Sequence, residues 1–99
     1  MAFETTPEMS TYFVAFIVSE FKCIKGANTA DGTPTEVCGR PGTEETFAVA
    51  LEAAPAALDT MQGFTYFTYA SLGNKKMTQA AIPDFAMGAM ENWGMMTYK

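Results

Sequence analysis

Three patterns in this 99-residue sequence predict an α+β fold. Residues 12–18 form an unbroken apolar run rich in aromatic and β-branched types. A single apolar stripe recurs at helical spacing between 47 and 61. Two strand-like runs lie near the carboxyl end. A hydrophobic content of 48% with 17% charged residues places the chain among globular sequences and not disordered ones.

The elements follow in order. Residues 12–18 are apolar at every position, which in so short a run predicts a strand buried on both faces. Residues 25–34 collect Gly, Asn, Asp and Pro and read as a loop. Residues 35–40 return as a strand, which places Cys38 opposite the region of Cys23 in a long-looped hairpin, and Pro41-Gly42 closes this β segment. Thr43 is a candidate N-cap, with Glu44 and Glu45 in the first turn, where carboxylates favour the positive end of the helix dipole. Phe47, Leu51, Ala54, Leu58 and Met61 then form the stripe of a helix that runs to about Met61. Pro55 is expected to kink or restart that helix, because it has no N–H for the carbonyl of Leu51, and Gly63 is expected to stop it. Phe64, Tyr66, Phe67 and Tyr69 alternate with threonines; without interleaved basic residues they read as core packing and not as a stacking surface. Residues 77–82 and 93–98 are two further strands flanking a Gly-Ala turn.

Charge narrows the function classes. Eleven acidic against six basic residues give a net charge of −5 with no Lys/Arg stripe, which argues against nucleic acid or an acidic membrane surface as partner and tolerates a cationic substrate end. The 12–18 run falls far short of the roughly 20 residues a membrane helix needs, and Met1-Ala2-Phe3-Glu4 lacks a basic start, so any membrane attachment is expected outside these residues. Ser10, Ser19 and Ser71 have no histidine to serve as base, and neither cysteine has a histidine partner, which removes support for nucleophilic catalysis. Cys23 and Cys38 admit three readings: a disulfide in an oxidising compartment, two free buried thiols, or part of a metal site needing further ligands.

The string Gly88-Ala89-Met90-Glu91-Asn92, followed at once by Trp93-Gly94, resembles the exopeptidase signature of zinc aminopeptidases of the aminopeptidase N (gluzincin) type. The resemblance spans the chain. Residues 3–12, with Ala15-Phe16-Ile17-Val18 after them, look like the stretch that ends the family's amino-terminal β domain. Lys75 to Phe85 look most like the insect gut branch, whose members are tethered to the outer cell surface by a glycolipid. The resemblance therefore implies two parts. Residues 1–41 would end an amino-terminal β-sandwich or saddle domain, and 42–99 would start a thermolysin-like catalytic domain with a helix followed by mainly antiparallel strands. It also implies a disulfide between Cys23 and Cys38, as expected of an ectoenzyme at the extracellular face of the plasma membrane.

For the site, the resemblance implies that Glu91 grips the free amino group of a peptide substrate while the main chain of Gly88 and Ala89 contacts the peptide. A fixed carboxylate is the natural partner of an α-ammonium, whose reference pKa is about 7.7 to 8.0. Met90 would wall the first side-chain pocket, with core filling as the plainer reading, and Asn92 would fix the turn. Asp84 reads as a turn residue and Trp93 as packing. The family's zinc site is H-E-x-x-H with a more distant Glu, and this sequence has no histidine, so no catalytic residue and no metal ligand is expected within it. Zinc would belong to the complete parent enzyme, and residues 1–99 alone are expected to be inactive and of doubtful folding autonomy. Peptides with a free amino terminus are the implied partners, with homo-oligomerisation left open. The competing expectation is a non-catalytic cell-surface receptor or binding segment, or an inactive relative that keeps the signature without the metal.

Overall fold

The computed structural model describes residues 2–99. A five-stranded mixed sheet carries one long helix. The strands are β1 (Lys22–Lys25), β2 (Thr35–Gly39), β3 (Met77–Ala81), β4 (Ala89–Met90) and β5 (Met95–Tyr98), and the helix is α1 (Ala48–Thr65). Their order across the sheet is β1-β2-β3-β5-β4. The outer pairs β1–β2 and β4–β5 are antiparallel, whereas the inner pairs β2–β3 and β3–β5 are parallel. The expected run of mainly antiparallel strands is thus corrected to a mixed sheet. Parallel neighbours need long crossovers, and here α1 crosses from β2 to β3 while residues 82–94 cross from β3 to β5. The pairing of β2 with β3 joins residues from both sides of position 41 in one sheet.

The β1–β2 hairpin sets Cys23 directly opposite Cys38, and the two are joined by a disulfide with Cα atoms 4.0 Å apart. Within its loop, the hydroxyls of Thr29 and Thr33 donate to Asp31 Oδ1, which holds the Asp31 carboxyl below the usual carboxylate range. The Ala30 N–H donates to Asp59 Oδ1 at 2.9 Å, tying the loop to α1.

Residues 12–18 do not form a strand. Residues 11–13 make one 3₁₀ turn (Thr11–Phe13), and Val14, Phe16 and Val18 are 58%, 81% and 91% exposed. An apolar run marks surface that favours burial, but strand formation needs a hydrogen-bonding neighbour, and the sheet's edge strand begins only at Lys22. Of the cluster at 64–69, Phe64, Tyr66 and Phe67 are 80%, 91% and 63% exposed and do not pack in the core, whereas Tyr69 is half-buried.

The helix begins with a 3₁₀ turn at Glu44–Phe47 before α1 proper. Thr43 stands at its N-cap position, but its hydroxyl donates backwards to the Arg40 carbonyl at 2.7 Å and caps nothing. Pro55 lies inside α1, which runs as one element across it, so the helix does not restart there. Gly26 approaches the carbonyl that Pro55 cannot serve: a Cβ built on Gly26 would stand 3.3 Å from Leu51 O and 2.6 Å from Thr35 Oγ1. Nor does Gly63 end the helix, which continues to Thr65 and closes with Tyr66 in the left-handed region at φ 63°. At that terminus the Tyr66 N–H donates to the Gln62 carbonyl at 2.9 Å and the Thr65 hydroxyl to the Met61 carbonyl at 2.8 Å.

The core is centred on the sheet: Val37, Cys38, Phe47, Ala54, Met77 and Ala80 are buried. Of the expected helix stripe, Phe47 and Ala54 are buried, Leu51 and Leu58 half-buried, and Met61 is 52% exposed. Between α1 and the sheet face of Val37, Gln79, Ala81 and Tyr98 runs a groove of about 510 Å³. No helix among the described residues is long and apolar enough to cross a membrane.

Candidate functional site

Residues 88–92 lie on the crossover between β3 and β5, and the strand within them, Ala89–Met90, is one of the two edges of the sheet. Ala89 pairs with Tyr98 and Met90 with Thr97, while the Lys99 N–H donates to the Gly88 carbonyl at 3.1 Å. One side of β4 is therefore bonded to β5 and the other is open. Gly88 and Ala89 are exposed, and Met90 is half-buried.

The chain then turns through Trp93-Gly94. The Met95 N–H donates to the Asn92 carbonyl at 3.2 Å, and Gly94 has φ 74°. A Cβ at Gly94 would also come within 3.2 Å of Asn74 Oδ1, so backbone angle and close approach both call for glycine. Asp84, at φ 59°, turns the chain earlier in the same crossover. Asn92 is buried; its Oδ1 accepts from the Thr97 hydroxyl at 3.0 Å and its Nδ2 reaches the Phe13 carbonyl at 3.5 Å. It thus ties the turn to β5 and to the amino-terminal segment by both ends of its amide. Trp93 packs edge-on against Phe13 at a centroid distance of 6.1 Å, and its backbone N–H donates to the Phe13 carbonyl at 3.0 Å.

Glu91 sits between the open strand and this braced turn, exposed to solvent. The Tyr12 hydroxyl donates to Glu91 Oε1 at 3.1 Å, and no other protein hydrogen bond or ion pair to this carboxylate exists among the described residues. A carboxylate has about four acceptor positions, so most of this one's capacity faces outward. Desolvation, followed by the hydrogen bond to Glu91 and its negative charge, pushes the Tyr12 phenol above its ordinary value. The phenol therefore stays protonated, and stays a donor, through neutral and mildly alkaline pH. Neither the groove under α1 nor a smaller cleft of about 240 Å³ reaching from Arg40 to Lys99 includes Glu91.

Sequence reasoning named Glu91, Gly88, Ala89, Met90 and Asn92, and the structure sets them in one short stretch along the edge. It missed Tyr12, Phe13 and Thr97. Tyr12 did carry a signal, since its hydroxyl would need a partner inside a doubly buried strand; no local pattern could name a partner 79 positions away.

Among the described residues one group of metal-type donors lies close together, and its side chains are otherwise engaged. Cys23, Glu36 and Cys38 lie together, but both sulfurs are spent in the disulfide. Glu36 accepts from Lys76 Nζ and from the Thr78 hydroxyl, both at 2.6 Å. Desolvation favours the protonated acid, but the bonds from Lys76 and Thr78 and the charges of Lys76 and Lys25 outweigh it and hold the carboxyl below its usual value.

No protein-family model matches the chain. Curated relatives do. Membrane alanyl aminopeptidase of Heliothis virescens is 47% identical over 98% of the chain, and the protein of the same name from Manduca sexta is 42% identical over 98%. Human endoplasmic reticulum aminopeptidase 2 is 40% identical over 98% of the chain. In each case the match covers 10% of the relative, so the chain spans about one-tenth of the length of these proteins. Their names agree on one class, the aminopeptidases. Within that class, the chain belongs to the aminopeptidase N family, with insect membrane enzymes among its relatives.

Proposed function

We propose that this chain is the amino-terminus-anchoring part of an aminopeptidase, with Glu91 as the anchor. The observation that carries this reading is an exposed carboxylate, held through one oxygen by Tyr12 at 3.1 Å, at the end of an edge strand whose outer side is open. A peptide laid along β4 finds free main-chain groups at Ala89 and Met90, small side chains at Gly88 and Ala89, and an apolar surface in Met90. Its α-ammonium meets Glu91, and a charge-assisted hydrogen bond of this kind is worth about 1.5 to 3 kcal/mol net. An internal segment of a polypeptide has no ammonium and gains nothing, which makes the cleavage exopeptidic.

The residues described here do not form a zinc site, and no catalytic step is assigned to a metal through them. The complete protein is read as a zinc enzyme whose ligands lie outside residues 1–99. Its position is read as the extracellular face of a membrane; the Heliothis and Manduca relatives' names support the membrane, and the disulfide suits an oxidising compartment. Residues 1–41 and 42–99 are read as the end of a β domain and the beginning of the catalytic one. Glu91→Ala in the full-length protein is expected to lower kcat/KM on substrates with a free amino terminus by about one to two orders of magnitude, the fold equivalent of that hydrogen bond. Zinc content, measured by elemental analysis, is expected to stay unchanged. Undiminished activity in this variant would refute the anchor.

A further inference from the structure

We infer that Tyr12 is a positioning residue for the substrate-binding carboxylate: it fixes one oxygen of Glu91 so that the other is presented to the substrate ammonium. This rests on the anchor reading of Glu91 and extends the site to a segment 79 positions earlier in the chain.

Both ends of the link are pinned. The Tyr12 ring packs on Phe13 at a centroid distance of 4.0 Å, and Phe13 packs on Trp93 at 6.1 Å. The Phe13 carbonyl receives the Trp93 N–H at 3.0 Å and Asn92 Nδ2 at 3.5 Å. The 3₁₀ turn at Thr11–Phe13 aims the phenol and the carbonyl of neighbouring residues at the same short turn. Glu91 is flanked on its carboxyl side by two residues held through Phe13, and its own side chain is held through Tyr12.

The chemistry suits the task. A glutamate side chain has three rotatable bonds, and an exposed one samples many rotamers that would carry its charge away from a bound ammonium. A neutral donor on Oε1 selects among those rotamers without cancelling the charge, as a lysine or arginine in the same place would. An ordinary phenol, with a pKa of about 10, already stays protonated across the range in which an α-ammonium does, and the upward push on Tyr12 acts in the same direction. This arrangement also explains why a 53% exposed tyrosine is useful at this point of the chain: its hydroxyl must reach the surface where the substrate lies.

The test uses the full-length protein with three variants, Tyr12→Phe, Glu91→Gln and the double variant. It measures inhibition constants for a matched pair of competitive inhibitors, one an α-amino compound and the other its des-amino analogue. Tyr12→Phe keeps the ring and its packing on Phe13, and its thermal midpoint confirms the fold. The expected result is that Tyr12→Phe weakens the amino inhibitor by about three- to tenfold, the range of one net hydrogen bond, and leaves the des-amino analogue unchanged. In the Glu91→Gln background the same substitution is expected to have no further effect. An unchanged amino/des-amino ratio in Tyr12→Phe, or an equal loss with and without Glu91, overturns the positioning role while Glu91→Gln still collapses that ratio. If Glu91→Gln leaves the ratio intact, the anchor reading itself falls.

Discussion

At one margin of the sheet, β1 contributes four residues, is covalently bonded to β2 through Cys23 and Cys38, and carries lysines at both ends. At the other margin, β4 contributes two residues, Ala89 and Met90, bonded to β5 on one side only, with Glu91 immediately after. Both are exposed edges and both could recruit a foreign strand. Lysines on an edge discourage such pairing, and the disulfide fixes the register of β1. β4 has no charge until Glu91 and no disulfide, and its two-residue length is what limits pairing there. The contrast teaches that two edges of one sheet can be guarded by different means, and under the anchor reading proposed above the shorter one leaves a little open main chain beside Glu91 for a peptide end.

The comparison can be broken or sharpened by experiments on each margin. The largest effect on stability is expected at β1. Loss of the disulfide, in Cys23→Ser or by reduction, should lower unfolding free energy by about 3 kcal/mol for a closed loop of 15 residues, measured by urea denaturation. The amino/des-amino inhibitor ratio should stay the same wherever the protein remains folded; a change in that ratio would mean that the two margins are not independent.

A smaller effect is expected beside β1, where Glu36 on β2 meets Lys76 at 2.6 Å. The folded carboxyl titrates below its unfolded value, so its contribution is fully present above about pH 4.3 and is lost as pH falls through the folded pKa. The Lys76 side chain is 61% exposed, which limits the pair to about 1 kcal/mol or less. Thermal midpoints of the parent and Glu36→Gln should therefore differ near neutrality and converge in acid. Parallel curves would remove Glu36 as the source.

The smallest stability change should come at β4. A Cβ on Gly88 would meet nothing within 4 Å, and the residue is outside the left-handed region, so Gly88→Ala should alter stability by less than about 0.5 kcal/mol. If a peptide runs along β4, the same methyl group should raise KM for peptide substrates several-fold. An unchanged KM would place the substrate elsewhere.

Legibility from sequence was uneven for physical reasons. The strands at Met77–Ala81 and Met95–Tyr98, the return strand at Thr35–Gly39 and the existence of α1 follow from local composition and periodicity. The sheet order does not, because β3 lies between β2 and β5 through crossovers that no local pattern encodes. Residues 12–18 and the aromatics at 64–67 were misread for one shared reason: hydrophobicity states a preference for burial without supplying a covering surface. Thr43 shows a different limit, since its hydroxyl could cap forwards or bond backwards and only the turn from Arg40 decides. The five site residues form one consecutive run, so sequence could name them; Tyr12, brought from the far end of the chain, could not be named that way.

The Cys23–Cys38 bond also bears on how this protein tolerates proteases. The loop between the two cysteines is rich in exposed small and polar residues, the kind of site where nicking concentrates. A cut there adds one water to the mass but releases nothing, because the two polypeptides remain joined through sulfur. Such a nicked molecule would migrate as a single band until a reductant is added, and only then separate into two.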